Sequence, residues 1–481
     1  MNARGRGWWP LGFVLAAVLG LGVVHRTHGP ELGADDHGQY LLHARALLEG
    51  RPYTEIGFLH SQYSTLVAPV AEPPGLPLLI AASARLGLSP EAGARAILLF
   101  AFCAIGLLVF ASWRWVVGDW QAAVISAWTL MALSRSHVLD TVMADLPFMA
   151  CLWAALLLTM RGTPSGGRLA GLLVAGGMAF SFRMAALPLL PAAATMFLLE
   201  RERRSTWVLL GTGWLAMAGF VMIGLSAGSV LGGESVRGAT ALWSDVQLNI
   251  RAIADGVREG LVITTPSVTG TRVLHLLLLV VALTGLATDR RWRTSRFGVA
   301  LAVWYVVMLV VLPTRAPRYV WPLLPFVAHG MVCGVAWFAA RITAEGAART
   351  SAVVSGMLVM VGAWQVGRIS PPRTFREVPD VKNVVATLRA EFSAAPNMRV
   401  AFFAPRVLTW ETGIRSAPLF GADPDSALAF MRTHGITHVV TGDAGAFAIG
   451  RAGMDSIVAA RPERFERIQE NGSFRTFRLV P

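Results

Sequence analysis

Long apolar runs nearly free of charge recur along this chain, and they restrict its fold more than any other feature. A stretch of about 20 apolar residues spans a bilayer as a helix, and a lipid environment admits only helices and closed barrels. Over 481 residues, 54% are hydrophobic and 15% charged, which excludes an ordinary soluble domain. The first run, Trp8 to His25, follows Arg4 and Arg6, and no small-residue cleavage site precedes the acidic loop after it. It reads as a retained helix and not a signal peptide. A net charge of +13 would suggest nucleic acid in a soluble protein. Here the excess Arg lies beside apolar runs, so it is an orientation signal and no nucleic-acid partner is expected. Cys103, Cys151 and Cys333 all fall inside apolar runs, and neither a disulfide framework nor a zinc site follows from them.

Sidedness follows from counting crossings. The segment Gly75 to Leu88 is short, carries Arg85 and contains Pro77, so it reads as interfacial or re-entrant. The remaining runs are centred on 95–113, 120–134, 147–160, 169–182, 185–199, 207–231, 273–288, 297–312, 320–340 and 351–369. With the first helix they predict about 11 transmembrane helices, an inside N-terminus and an outside C-terminus. The loops then on the cytoplasmic side hold Arg201, Arg203 and Arg204, Arg290, Arg291 and Arg293, and Arg341, as short basic loops should. The outer face collects Asp35 and Asp36, Glu72, Asp145, Arg183 and Pro313 to Tyr319.

The expected organisation is a polytopic α-helical membrane domain over 1–371, with a long first outer loop (26–94) and a second outer loop (232–272). In the first loop, Gln39 to Glu49 reads as a surface helix. In the second, Leu242, Val246, Ile250, Ile253, Val257 and Leu261 recur at helical spacing and predict an amphipathic helix on the membrane surface, either a structural flap or a substrate lid. Beyond Pro371-Pro372 a small α/β extracytoplasmic domain (372–481) is expected. Its strands are Met398 to Ala404 and Thr437 to Thr441, its helices Asp425 to His434 and Ala452 to Ala460. A hairpin over Arg464 to Gln469 and Ser473 to Leu479 turns at Asn471-Gly472.

Four elements share the outer face in a fixed order. Asp36 precedes Tyr40 by four residues; Glu72-Pro-Pro-Gly-Leu-Pro77 closes the first loop; Asp145-Leu-Pro-Phe148 opens one helix; Arg318-Tyr319, with Pro322 and Pro325, opens another. This arrangement resembles the GT-C class of polyprenyl-phosphate-dependent glycosyltransferases, in the branch of protein O-mannosyltransferases and lipid A aminoarabinose transferases. The resemblance implies Asp36 as the catalytic carboxylate, with Asp35 beside it, and Asp145 as a second acid. It implies Arg318 and Tyr319 on the donor side. The chain departs from the aminoarabinose transferases where their Glu-Lys-Pro reads Glu72-Pro73, so a phosphate ligand must come from elsewhere.

The chemistry required agrees with this set. Transfer from a lipid-phosphate sugar needs a base for the acceptor hydroxyl and cationic groups or a divalent metal for the departing phosphate. Arg183, Arg315 and Arg318 are the candidate phosphate ligands, and Glu72 and Tyr40 the candidates for sugar or acceptor. His37, His43 and His60 have no metal-ligand spacing. The sequence thus predicts an enzyme of the bacterial cytoplasmic membrane that moves a sugar from a polyprenyl-phosphate donor to an extracytoplasmic acceptor, with inversion. Its rivals are a secondary transporter, which should show charged or broken helices in matching halves, and a GT-C-like envelope protein without catalysis.

Overall fold

A computed structural model describes residues 35–59, 72–135, 141–160, 166–224, 239–261, 267–289, 295–311, 317–342, 347–368, 379–419, 423–442, 451–472 and 474–480, together with 12, 139 and 291. The predicted first helix, Trp8 to His25, apart from Gly12, and the Pro371-Pro372 junction fall outside these residues.

Helices α1 (Asp35–Leu48) and α2 (Gly75–Arg85) belong to the first predicted outer loop. A bundle follows: α3 (Pro90–Val117), α4 (Asp119–Arg135), α5 (Asp145–Met160), α6 (Gly166–Phe182), α7 (Leu189–Leu199) and α8 (Arg204–Gly224). It continues through α9 (Ala239–Gly260), α10 (Val268–Thr288), α11 (Arg296–Val311), a 3-10 turn over Pro317–Leu323, α12 (Leu324–Ile342) and α13 (Ala347–Val366). Among the described residues, three stretches are long and apolar enough to cross a membrane: Pro90–Val117 of 28 residues, Val268–Thr288 of 21 and the continuous Pro317–Ile342 of 26. Phe100, Phe220, Leu276 and Met360 point outward and exposed, as side chains facing lipid do.

Two expectations about surface helices are corrected. Helix α1 is not on the surface, because Tyr40, Leu41, Leu42, His43 and Ala44 are all buried. Its polar residues tolerate burial because they find partners: the Val142 amide donates to His37 Nδ1 at 3.0 Å, and His43 Nδ1 bonds the Tyr53 carbonyl at 2.7 Å. Helix α9 does form over the amphipathic stretch, yet part of its apolar face is taken by protein. Ile253 and Val257 pack on the main core, Asn249 Nδ2 donates to the Val310 carbonyl and Trp128 Nε1 to that of Gly260.

All named strands lie C-terminal to the bundle, in a five-stranded sheet of order β2-β1-β3-β5-β4. They are β1 (Arg399–Ala401), β2 (Arg415–Ala417), β3 (His438–Gly442), β4 (Phe465–Asn471) and β5 (Phe474–Leu479). The β1–β2 and β1–β3 pairs are parallel, β3–β5 and β5–β4 antiparallel. Gly472 supplies the positive φ of +57° at the hairpin turn, where a side chain is disfavoured. The sheet is covered on both faces. Val400, Phe402 and Val440 pack with Val381, Val384 and Leu388 of α14 (Pro379–Ala394) and Val407 and Leu408 of α15 (Pro405–Thr412). Ala401, Ala417 and Val439 pack with Met431 of α16 (Pro424–Thr433) and Ile457 of α17 (Arg451–Ala460). Helices α14 and α15 and strand β2 had no expectation from the sequence.

The first-loop residues close the β2 edge of this sheet. Phe58 bridges to Ser416 in parallel, with the Leu59 amide on the Ser416 carbonyl at 2.8 Å and the Ser416 amide on the Gly57 carbonyl at 3.3 Å. An edge strand so covered cannot pair with a second chain.

Candidate active site

Four helix ends and one C-terminal helix meet at a single polar cluster. Asp36 is on the first turn of α1, where a carboxylate is favoured by the helix dipole, and Asp145 opens α5, with Pro147 in the first turn, where no amide is missed. Arg183 follows α6 directly in extended backbone (φ −153°, ψ 139°), and Pro188 starts the next helix. Arg318 and Tyr319 lie on the 3-10 turn between Pro317 and Pro322.

The cluster contains two ion pairs. Arg318 Nη2 meets Asp36 Oδ2 at 3.0 Å, and Arg183 Nε meets Asp145 Oδ1 at 3.2 Å. Arg183 spends its whole fork on fixed partners: Nη1 donates to the Tyr40 hydroxyl and Nη2 to the Tyr319 hydroxyl, both at 3.2 Å. Both guanidinium groups lie near the Tyr319 ring, at 5.2 Å for Arg183 and 5.8 Å for Arg318. Asp145 and Arg183 are buried, whereas the Asp36 side chain keeps 23% exposure and the Arg318 side chain 25%. A ligand reaching this cluster therefore meets Asp36 and Arg318 more readily than the pair behind them.

The sequence reading missed Arg406. This fully buried residue on α15 brings Nη1 to 4.0 Å from Asp36 Oδ1 and stacks its guanidinium over Phe58 at 4.3 Å. Gly38 permits the approach, since an added Cβ would lie 2.7 Å from the Arg406 carbonyl carbon and 2.8 Å from the Val407 amide nitrogen. Arg45 reinforces the contact, with its guanidinium 3.9 Å from the Trp410 ring centre and Nη2 on the Trp410 carbonyl at 3.2 Å, while Trp410 Nε1 donates to Glu91. We expect Gly38→Ala to push α1 from α15 and to cost about 1–3 kcal/mol, as overpacking does. Thermal unfolding of the purified protein measures this, and an unchanged melting temperature would remove Gly38 from the contact.

Electrostatics separate the two acids nearest the first loop. Burial alone would push the Asp36 carboxyl up, but Arg318, Arg406 and Arg183 outweigh it and hold the group below its ordinary value. Burial pushes Glu72 up, and Asp36 adds to this; Arg183, Arg406 and Arg318 only partly counter it, so Glu72 stays raised. Carboxyls driven apart in this way can serve as ionised group and proton holder. Behind Glu72, Tyr53 donates to its carbonyl at 2.7 Å and stacks on His43 at 4.2 Å. Burial lowers His43 to about 4, so the ring is neutral at pH 7 and supports the loop without charge.

Several buried polar atoms here have no hydrogen-bond partner among the described residues: Asp145 Oδ2, Arg318 Nε and the hydroxyl of Tyr305. Tyr305, on α11, is within electrostatic reach of Asp145, Arg183 and Tyr319 and was hidden in the sequence by its apolar run. Such groups call for a ligand or water. Of the sequence candidates, Arg315 and His60 lie outside the described residues, as does the side chain of Asp35, whose backbone begins α1. The others, Asp36, Tyr40, Glu72, Asp145, Arg183, Arg318 and Tyr319, are all members of or neighbours to this one cluster.

No family model matches the sequence, and no curated protein matches it. Solved structures do match. ArnT from Cupriavidus metallidurans bound to undecaprenyl phosphate is similar over 99% of this chain and 99% of its own, with a TM-score of 0.56 and 11% identity. The archaeal oligosaccharyltransferase AglB from Archaeoglobus fulgidus, in complex with an inhibitory peptide and a dolichol-phosphate, matches 97% of this chain and 74% of its own. The TM-score is again 0.56, and the identity 13%. Both are GT-C glycosyltransferases, and the chain has their fold.

Proposed function

We propose that this chain is an integral membrane glycosyltransferase that moves a sugar from a polyprenyl-phosphate donor to an extracytoplasmic lipid, glycan or protein. The observation that carries the reading is the Asp36–Arg318 pair, a quarter exposed and backed by Arg183, within a fold whose solved relatives hold undecaprenyl phosphate and dolichol-phosphate.

Arg318 is the phosphate ligand in this mechanism, because its Nε is free of described partners and its fork suits phosphate oxygens. When the phosphate takes Arg318, Asp36 loses its strongest cationic neighbour and becomes more basic. Asp36 then accepts the proton of the acceptor hydroxyl, the acceptor oxygen bonds to the anomeric carbon, and the bond from that carbon to the phosphate oxygen breaks. The electron pair leaves on the polyprenyl phosphate, beside Arg318. Attack from the side opposite the phosphate inverts the anomeric centre. Asp145 and Tyr40 act through Arg183, holding its guanidinium in place; Tyr319 orients both Arg residues. Glu72, with its raised carboxyl, is suited to hydrogen-bonding sugar or acceptor. Asp35 and Arg315 complete the candidate set.

The same reading takes 1–371 as the membrane domain with eleven crossings in the cytoplasmic membrane, and 372–481 as an outer domain. Its supports are the Arg-rich alternate loops and the placing of Arg406 at Asp36 from the C-terminal side. The test is transfer by the purified protein from synthetic polyprenyl-phosphate sugars, with acceptors found by mass spectrometry of envelope lipids, glycans and proteins from cells with and without it. Identical envelopes and no transfer would reject the proposal.

A further inference from the structure

We infer that Asp289, His329 and Cys333 form a binding site for one divalent transition-metal ion of the zinc type. The site is distinct from the Asp36 cluster. From Arg318 to Cys333 the chain advances fifteen residues in a helical path, roughly 22 Å at 1.5 Å per residue.

Glycine packing builds it. Gly330 and Gly334, spaced as in the small-xxx-small pattern that lets membrane helices approach, lie on α12 against Gly285 of α10. A Cβ at Gly285 would sit 1.9 Å from the Gly330 carbonyl oxygen, and one at Gly334 2.0 Å from that of Val281. The two backbones therefore touch, and the residue capping α10, Asp289, is brought against α12. There His329 and Cys333 are four residues apart and share one helix face. Both are buried.

The ligand atoms are already arranged around a centre. Asp289 Oδ2 is 3.1 Å from Cys333 Sγ and 3.4 Å from His329 Nε2, and Sγ lies between the two ring nitrogens, 3.6 Å from Nδ1 and 3.8 Å from Nε2. A tetrahedral zinc ion with Zn–S of about 2.3 Å and Zn–N or Zn–O of about 2.0–2.2 Å needs ligand atoms roughly 3.3–3.6 Å apart. The separations are close to this range, and a rotation of the Cys333 thiol or the His329 ring brings Sγ round to the Nε2 lone pair.

The surroundings orient this set as partners of metal ligands do. Arg291 holds the other carboxylate oxygen, Oδ1, through its backbone amide at 3.0 Å and Nε at 2.9 Å, leaving Oδ2 turned inward. Trp113 stacks on the His329 ring at 4.2 Å and 13°, fixing its plane. A thiolate and a carboxylate neutralise a divalent ion, and one thiolate, one imidazole and one carboxylate suit zinc or cobalt(II). Binding displaces the thiol proton to solvent, and the fourth tetrahedral position remains for water.

The test uses the full-length, tag-free protein in detergent, stripped of metal and titrated with cobalt(II) and then with zinc. We expect one equivalent of cobalt per chain with a thiolate-to-cobalt charge-transfer absorption, displaced by zinc. Cys333→Ser should abolish the absorption and His329→Ala should weaken binding at least about tenfold, while Cys103→Ser leaves both unchanged. Absence of the absorption in the wild-type protein overturns the site whatever the variants do. So does cobalt binding that survives Cys333→Ser at full strength.

Discussion

Asp36→Asn should reduce sugar transfer by about 100- to 10,000-fold, the usual worth of a general base, while leaving the fold intact. Asparagine keeps the size and one acceptor oxygen but cannot take the acceptor proton. The substitution also removes the partner of Arg318 at 3.0 Å and the carboxylate facing Arg406 at 4.0 Å. Arg318 is a quarter exposed and regains water, so donor binding should hold or tighten as Arg318 is freed for phosphate. The expected signature is a collapse of kcat without a matching rise in KM for the donor. Asp35→Asn should be milder, because the spacing to Tyr40 singles out Asp36. The pH profile offers a second reading. The depressed carboxyl of Asp36 keeps it ionised in the ligand-free enzyme down to pH values below the ordinary carboxylate range, so the acid limb of kcat/KM due to Asp36 should fall there and vanish in the variant. Wild-type turnover in Asp36→Asn would remove Asp36 from the mechanism, and a larger defect in Asp35→Asn would reverse the assignment of the two acids.

What sequence could and could not convey about this site follows from the range of each interaction. Asp36 and Tyr40 are four residues apart on one helix, so their common face is a local property and readable. Arg318-Tyr319 and Asp145-Leu-Pro are readable for a similar reason: prolines at helix starts place them at the ends of apolar runs. Arg406 is 370 residues from Asp36, and its approach depends on Gly38 meeting the backbone of α15, for which no periodicity exists. Helix α1 was mistaken for a surface element because Asp36, His37, Gln39 and His43 are polar. Tertiary partners such as the Val142 amide and the Tyr53 carbonyl override that pattern. The hairpin was legible through Asn471-Gly472 and β1 through the apolar run Met398 to Ala404, whereas strand β2, of three residues, is too short to carry a pattern. His329 and Cys333 are visibly four apart, but Asp289 joins them only through the contact of Gly285 with Gly330.

Arg183→Ala should be the most damaging single change in the cluster, affecting stability before chemistry. Arg183 is buried and is bonded through Nε to Asp145, through Nη1 to Tyr40 and through Nη2 to Tyr319. Its removal leaves the Asp145 carboxylate buried with neither oxygen paired by a cation, and breaking one side of a buried pair typically costs about 3–5 kcal/mol. The two tyrosines lose the donor that fixes them, so Arg318 loses its support as well. Lower melting temperature in detergent and loss of transfer are both expected. A double change separates these effects. Arg183→Met with Asp145→Asn removes both charges, so the penalty for an unpaired carboxylate disappears and much of the stability should return. Transfer should remain lost, because Tyr40 and Tyr319 still lack their common donor. If Arg183→Ala melts like the wild-type protein, the Arg183–Asp145 pair does not hold this end of the bundle together; if the double variant regains transfer along with stability, the pair acts only on folding and has no part in positioning the donor.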